Sequence, residues 1–305
     1  MADKKWKDHS LSKKNLEMID KEGFIVFYDL ETTGFSSKND RIIQFSAIRC
    51  RLKDLEEVEK LNLFIKCPFS VPTKITAINH IDDALLEEKG VEEHIAFEKI
   101  NNFIVPGDII SGYNNESFDD KFLTALYNTY RQTLDINKNI DVYKYAKTVI
   151  DPEKLMIKDE KTGKMKPSYK LINVVNHYDP ENTYKFHDAS DDIAATKFVF
   201  RKLLEDSKKH IAEAKEEEEQ RKSIPRQKVK VSSLGFYSPS QNIQRVYVNT
   251  DQGKYYYDHV KHLWNTKSGN LDSIDAEDMK NQAFSMIGVT NEGDFYKEMR
   301  KIKFA

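Results

Sequence analysis

The sequence contains little cysteine and no long apolar run, and each scarcity excludes a class of protein. Cys50 and Cys67 are the two cysteines in 305 residues, and they form no CxxC pair. Zinc sites and disulfide frameworks need more cysteine, so the composition favours a reducing cytoplasm. No apolar run approaches the roughly 20 residues of a membrane span. The segment MADKKWKDHSLSKK is polar throughout, and we therefore expect no signal peptide and a cytoplasmic location.

A strong net charge is also missing. The formal charge is −2, from 48 Lys+Arg and 50 Asp+Glu, so any nucleic acid must bind a local patch. In contrast, the chain is 39% apolar and contains 17 Phe and 15 Tyr, which is enough for packed cores. A length of 305 residues suits two domains.

The pattern along the chain predicts four segments. Residues 1–22 form a polar lead-in with a short helix around KKNLEMID, and residues 23–206 mix strands with helices. Residues 207–230 hold the run KEEEEQRK and predict a charged helical linker, which continues the long helix that begins near HDASDD. Residues 231–305 predict a small α+β domain, because alternating runs flank DQG as in a hairpin and two helical stretches follow.

The stretch GFIVFYDLETTGF, residues 23–35, places two acids in a buried strand. Asp29 and Glu31 are two positions apart, so their side chains leave the same face. Buried charges cost several kcal/mol each unless something compensates them. A capped turn before TTG explains the pair equally well, so the strand alone leaves both interpretations open.

A second segment, SGYNNESFDDKFLTALY, places an acid on an apolar helix stripe. Asp119 lies on the stripe of Leu123 and Leu126, whereas Asp120 lies beside Lys121 and is expected to be solvated. An acid in a first helical turn also favours the helix dipole, which is the alternative reason for Asp119.

A third segment, FHDASDD, opens the long helix with a histidine and two acids. His187 precedes the helix start, and Asp191 and Asp192 lie in its first turns. Periodicity does not separate the two aspartates. A histidine at such a place also serves commonly as a cap or as a hydrogen-bonded core group.

Three motifs follow one another along the chain: DxE on a strand, FD at the start of a helix, and HxAxxD at the start of a later helix. In this order they resemble the motifs of the DEDDh or DnaQ-like exonucleases, of the proofreading epsilon type. The resemblance covers about residues 23–205. ITAINHI resembles the family's loop after the third strand, and PSYKLINVV resembles the helix before the last motif. The resemblance implies an α/β, ribonuclease H-like mixed five-stranded sheet flanked by helices, followed here by the small C-terminal domain.

The resemblance also implies the catalytic roles. The implied metal ligands are Asp29, Glu31, Asp119 and Asp192. His187 is the implied general base, and the HxAxxD spacing selects Asp192 over Asp191. Two divalent cations would bring the charge of four carboxylates near zero, and all-oxygen ligation suits Mg²⁺ or Mn²⁺. Members of the family release nucleoside 5′-monophosphates from 3′ ends.

Contacts with the substrate follow from the same resemblance. The implied substrate-binding residues are Leu30, Thr32, Thr33, Phe118 and Asn114. Phe118 serves equally well as a core residue, and Asn114 as a structural one. The expected substrate is single-stranded nucleic acid or a frayed 3′ end, DNA before RNA. An exoribonuclease remains the alternative, because the same five catalytic residues serve both sugars. A non-catalytic binding protein would be expected to lack one of them.

Two basic or aromatic stretches fall outside these motifs. Six lysines lie between residues 154 and 170, and they indicate either a phosphate-contacting patch or a solvated loop. Residues 226–305 contain 12 Lys+Arg against 9 Asp+Glu. In this region, YYYDHVKHLW is either a platform on which single-stranded bases stack or the core of a small β-rich domain. His259 and His262 lack nearby cysteines, so we do not expect them to form a metal site. We expect the C-terminal domain to determine which nucleic acid is bound or to bind a replication or repair protein.

Overall fold

The computed structural model describes residues 10–184, 186, 189–223, 225–240, 243–258, 263–266 and 274–303. The predicted general base His187 lies outside the described residues, and so do His259 and His262. The chain divides into two compact units, with the division between Ile211 and Ala212. No helix within the described ranges has the length and apolar character that crossing a membrane requires.

A five-stranded sheet forms the centre of the first unit. Its strands are β1 (Phe24–Thr32), β2 (Ile42–Arg51), β3 (Glu57–Phe64), β4 (Ile109–Gly112) and β5 (Asn139–Asp141). Their spatial order is β3-β2-β1-β4-β5. The pairs β1–β2 and β2–β3 are antiparallel, whereas β1–β4 and β4–β5 are parallel. The sheet is therefore mixed, as predicted.

Eight helices of the described chain begin within the first unit. They are α1 (Ser10–Ile19), α2 (Thr73–Asn79), α3 (Asp83–Lys89), α4 (Glu93–Phe103), α5 (Asp119–Thr129), α6 (Val142–Val149), α7 (Leu171–Tyr178) and α8 (Ala189–Ser223). The break between α3 and α4 at Gly90 and the single long helix α8 confirm two predictions from the pattern. The loop expected for ITAINHI is wrong for most of the segment: its first five residues lie in α2, where Ile75 packs into a small core with Ile43 and Leu86.

The two faces of β1 enter different cores. Phe27 packs in a cluster with residues of α6, α7 and α8, whereas Tyr28 packs in a cluster with residues of α4 and α5. Successive strand residues point to opposite faces. Asp29 and Glu31 therefore project on the Phe27 face, toward the layer that contains the start of α8.

The predicted lead-in contains α1, which packs on the first unit. Leu16, Met18 and Ile19 lie against the core cluster on the Phe27 face of the sheet. Ser12 is buried, and its hydroxyl accepts a hydrogen bond from the Ser207 hydroxyl on α8 at 3.2 Å. The helix is thus part of the packed unit.

The Lys-rich segment is more ordered than the polar loop predicted for it. It contains an antiparallel hairpin of β6 (Met156–Lys158) and β7 (Met165–Pro167). Asp159 Oδ1 accepts hydrogen bonds from the backbone N–H groups of Lys161 and Thr162, and Gly163 adopts a φ of 68°. This turn chemistry closes the hairpin, a local signal that the lysine content obscures.

The second unit contains a four-stranded sheet and two helices. Its elements are β8 (Val231–Ser240), β9 (Ile243–Thr250), β10 (Gly253–Asp258), β11 (Leu263–Thr266), α9 (Ala276–Met286) and α10 (Glu292–Lys303). The antiparallel order is β11-β10-β9-β8, and β9 and β10 form the hairpin predicted around DQG. Tyr255 is buried in the core with Val248 and Phe284. Its neighbour in the chain, Lys254, contacts a different aromatic ring: the ammonium lies 3.7 Å from the ring centre of Tyr247.

Candidate active site

The first two acids lie near the carboxyl end of β1. Asp29 pairs with Ser46 of β2 and Glu31 pairs with Gln44, and the register shifts between Glu31 and Thr32. Such irregularities end a ladder and redirect side chains. Asn79, at the end of α2, donates a hydrogen bond from Nδ2 to Glu31 Oε2 at 3.1 Å. Glu31 is thereby held from a second element of the fold.

Asp119 opens α5 and is 5% exposed. Burial is the largest influence on its pKa and raises it, and the charges of Asp120 and Glu31 raise it further. Hydrogen bonds from its own backbone N–H and from that of Leu30 lower the pKa in part, and the result is a pKa of about 8. The Leu30 contact joins α5 directly to β1, between the two strand acids.

Acids from three elements converge on Asp29. Burial raises the pKa of Asp29 well above its usual value, and the charges of Asp119, Glu31 and Asp192 raise it further, in that order. Coulomb interactions weaken with distance, so each of these charges lies within electrostatic range of Asp29. The carboxylates implied as ligands thus come from β1, α5 and α8 and act on one residue, Asp29.

The two aspartates at the start of α8 face different surroundings. Asp192 lies on the stripe of Thr196 and Val199, which are buried. The charge of Asp192 acts on Asp29, whereas that of Asp191 raises the pKa of Tyr184. These surroundings agree with the choice of Asp192 made by the HxAxxD spacing.

The donor set suits a hard divalent cation. All four side chains offer carboxylate oxygens, which Mg²⁺ and Mn²⁺ prefer. Among the residues that the structure describes, no three His, Cys, Asp or Glu side chains are grouped closely enough to hold a metal ion.

The expectation that Asp120 is solvated is wrong. Asp120 is 6% exposed, and the Tyr28 hydroxyl donates a hydrogen bond to its Oδ1. Asn115 Nδ2 donates to the same oxygen at 3.1 Å, and Asn139 Nδ2 donates to Oδ2 at 2.5 Å. Tyr28 and Asn139 lie far from Asp120 in the chain, and Asn115 lies in the irregular turn before α5. Helical periodicity therefore could not predict these hydrogen bonds.

Two of the predicted substrate residues use their side chains within the protein. Thr32 Oγ1 donates to the Gly34 carbonyl at 2.6 Å. Thr33 is 1% exposed, and its Oγ1 donates to Asp40 Oδ1 at 3.3 Å and accepts from the Arg41 N–H at 3.0 Å. These bonds shape the turn after β1.

Leu30 and Asn114 have structural contacts of their own. The Leu30 side chain is 5% exposed and belongs to the core shared with α4 and α5. Asn114 adopts a φ of 66°, and its backbone N–H donates to Asp141 Oδ1 at 3.2 Å. Contact of either residue with a substrate stays a prediction.

Phe118 joins the core to an exposed aromatic ring that the sequence reasoning missed. Its ring lies 5.0 Å from Phe122 and packs on the core cluster. Its other neighbour is Phe35, 6.2 Å away and edge-on, which is 82% exposed. Phe35 ends the stretch GFIVFYDLETTGF, but its exposure is a property of the fold and left no signal in the sequence.

Comparisons with known proteins agree with this fold. A sequence profile of the exonuclease family (RNase_T) matches residues 26–200. DNA polymerase III PolC-type of Clostridium perfringens is 28% identical over 191 residues, which is 61% of this chain and 12% of that protein. The Mycoplasma pneumoniae PolC-type polymerase is 32% identical over 121 residues, 40% of this chain and 8% of that protein. The chain therefore spans about a tenth of these relatives.

A solved structure has a similar fold. E. coli exonuclease I in complex with a dT13 oligonucleotide aligns with a TM-score of 0.52 at 17% identity, over 93% of this chain and 72% of that one. The mixed sheet flanked by helices is that of a ribonuclease H-like fold. The chain belongs to the exonuclease family, of the DnaQ-like kind.

Proposed function

We propose that this protein is a metal-dependent 3′–5′ exonuclease that removes nucleoside 5′-monophosphates from DNA 3′ ends. The observation that carries the proposal is electrostatic: the charges of Asp119, Glu31 and Asp192, from three separate elements, act on the buried Asp29. Acids that raise one another's pKa values destabilise a protein unless a cation compensates them. Membership of the exonuclease family supports the same conclusion.

The chain's own residues would divide the work between binding and proton transfer. Asp29, Glu31, Asp119 and Asp192 would hold two divalent cations, Mg²⁺ or Mn²⁺. Bound cations would supply the positive charge that acidifies a water molecule and stabilises the departing 3′ oxygen. His187 would accept the water proton, since an imidazole with an ordinary pKa near ~6.5 is a competent base at neutral pH.

Substrate binding falls to the surface beside β1. The backbone at Leu30 and Thr32, together with Thr33 and Asn114, would meet the terminal nucleotide. The exposed ring of Phe35, supported edge-on by Phe118, offers a surface on which a base can stack. The polymerase relatives and the oligonucleotide complex of E. coli exonuclease I favour DNA as the substrate.

The second unit is proposed to engage the nucleic acid or a replication or repair protein. The relatives are DNA polymerases by name, which supports a partner that takes part in DNA synthesis. Capture of purified replication proteins by the full chain, compared with the chain ending at Ile211, tests the docking role.

The decisive experiment uses 5′-labelled single-stranded DNA and RNA of matched sequence. Wild-type protein with Mg²⁺ should give a ladder that shortens from the 3′ end, and EDTA should abolish it. Asp192→Ala should lose this activity, and Asp191→Ala is the matched control that should retain it. Faster cleavage of RNA would make the protein an exoribonuclease. If folded protein gives no ladder with either Mg²⁺ or Mn²⁺, the proposed exonuclease activity is refuted.

A further inference from the structure

A buried polar network joins the two segments that carry the proposed metal ligands. Asp120 accepts hydrogen bonds from Tyr28, Asn115 and Asn139, and Asn115 Nδ2 also donates to Asn139 Oδ1 at 2.9 Å. Tyr28 immediately precedes Asp29 on β1. Asp120 immediately follows Asp119 on α5. The Tyr28–Asp120 bond therefore spans 92 residues and connects the neighbours of two ligands.

The network lies on the opposite face of the sheet from the acids of β1. Tyr28 is 2% exposed and packs in the core shared with α4 and α5, whereas Asp29 projects toward the α8 layer. Asp120 therefore does not share the cation site. Its effect on that site passes through the backbone of β1 and of α5.

A small residue at the end of β4 permits this arrangement. Gly112 lies where a Cβ atom would come within 2.9 Å of the Tyr28 carbonyl oxygen and 2.9 Å of the Asn115 Cβ atom. Ordinary Cβ atoms do not approach so closely, so a larger residue would push β1 and the Asn115 turn apart. The close approach lets one carboxylate collect donors from β1, β5 and the turn before α5.

A contribution to stability alone does not explain why residue 120 is an aspartate. The side chain is buried, and it adds its negative charge beside Asp119, which already lies among other acids. Among the described residues, no cation forms an ion pair with Asp120. Well-packed apolar side chains often fill such positions at equal or lower cost. What the acid adds is a fixed geometry, because three donors hold both of its oxygens.

We propose that Asp120 is a positioning residue, which together with Tyr28, Asn115 and Asn139 sets the spacing between β1 and the start of α5 and thereby pre-organises Asp29 and Asp119 to bind divalent cations. This inference rests on the proposed function. Groups that orient metal ligands without touching the metal commonly change its affinity by 10–100-fold when they are removed. This hydrogen-bond network should therefore control the affinity for cations more than the rate of cleavage at a saturating cation concentration.

The test compares two tyrosine-to-phenylalanine changes in the full-length protein. Tyr28→Phe removes the donor to Asp120 and keeps the ring in its core. Tyr127→Phe is the matched control, because Tyr127 lies in the same core cluster but outside the network. Calorimetric titration with Mn²⁺ gives the cation affinity, and thermal melting in EDTA gives the stability of the metal-free protein.

Tyr28→Phe should raise the dissociation constant for Mn²⁺ about tenfold. The Mg²⁺ concentration for half-maximal cleavage should rise in parallel, while KM for DNA and kcat at saturating Mg²⁺ stay close to wild type. Tyr127→Phe should leave Mn²⁺ binding unchanged. An unchanged Mn²⁺ affinity in folded Tyr28→Phe protein, whatever its melting temperature, would overturn the inference.

A second variant and the wild type keep the outcomes distinct. Asn139→Ser removes a donor from the half-buried edge of the network, and it is judged by the same criteria if Tyr28→Phe does not fold. Wild-type protein that binds no Mn²⁺ and cleaves nothing would refute the proposed function itself. Wild-type protein that binds and cleaves, with an unchanged Mn²⁺ affinity in the folded variant, would refute only the positioning role.

Discussion

Asn79 and Glu31 are joined by a hydrogen bond from the side-chain amide to Oε2 at 3.1 Å. The same asparagine accepts a hydrogen bond from the Ile81 N–H through Oδ1 at 3.1 Å, so its amide is fixed at both ends. The carboxylate of Glu31 is therefore oriented by α2, an element that sequence reasoning expected to be a loop.

Asn79→Ala should weaken cation binding. Loss of the orienting amide should raise the Mg²⁺ concentration for half-maximal cleavage by about tenfold and cost about 1 kcal/mol of stability. Thr76→Val is the matched control, because Thr76 Oγ1 donates to the Ile81 carbonyl in the same turn at 2.9 Å. Equal Mg²⁺ requirements in both variants would show that the Glu31 contact has no part in binding cations.

Removing divalent cations should make the stability of the protein fall as pH rises. An unfolded aspartate has a pKa near ~3.9, whereas the pKa of folded Asp119 is about 8 and that of Asp29 is also raised. The folded protein therefore holds protons that the unfolded chain releases. The corresponding stability is complete below about pH 4 and is lost as pH rises toward about 8, by up to about 1.4 kcal/mol per pH unit for each proton.

Melting temperatures between about pH 5 and about pH 9, in EDTA and in Mg²⁺, measure this effect. Mg²⁺ should raise the melting temperature most at the alkaline end, where the carboxylates are ionised. Asp29→Asn removes one of the titrating groups, and it should flatten the pH dependence in EDTA. A melting temperature that is independent of pH in EDTA would contradict the raised pKa values.

Phe35→Ala should weaken DNA binding with little effect on folding. The ring is 82% exposed, so its removal costs little packing. Stacking of one base on an aromatic ring is worth about 1–3 kcal/mol, so affinity should fall between about fivefold and about 150-fold. Fluorescence anisotropy with a labelled oligonucleotide in EDTA measures it. Phe69→Ala, at a residue 42% exposed, is the control, and equal affinities in the two variants would exclude a stacking role for Phe35.

Two arginine–acid pairs on β2 should contribute very different amounts to stability. Arg49 donates to Asp108 through Nε at 2.7 Å and Nη2 at 3.1 Å, and these side chains are 15% and 6% exposed. Asp108→Ala leaves a partly buried guanidinium unpaired and should cost about 3 kcal/mol. Glu56→Ala breaks the exposed pair with Arg51 and should cost less than about 1 kcal/mol. Urea unfolding compares the two, and equal losses would show that burial does not decide their contribution.

Much of the fold was predictable because its signals are local. The apolar run of β1, the helix break at Gly90 and the hairpin around DQG each depend on residues adjacent in the chain. The acid pair Asp29 and Glu31 was visible for the same reason, since strand geometry alone puts the two side chains on one face. The order of the motifs along the chain then identified the family.

The remaining features depend on contacts between distant residues. Helical spacing placed Asp120 in solvent, but Tyr28, 92 positions away on β1, donates a hydrogen bond to it. Asn79 lies 48 positions from Glu31, in a segment that resembles a loop in sequence and forms a helix. The sequence by itself thus determined which acids leave which elements. Only the tertiary structure decided how those acids are held, because burial and hydrogen-bond partners arise when the separate elements pack together.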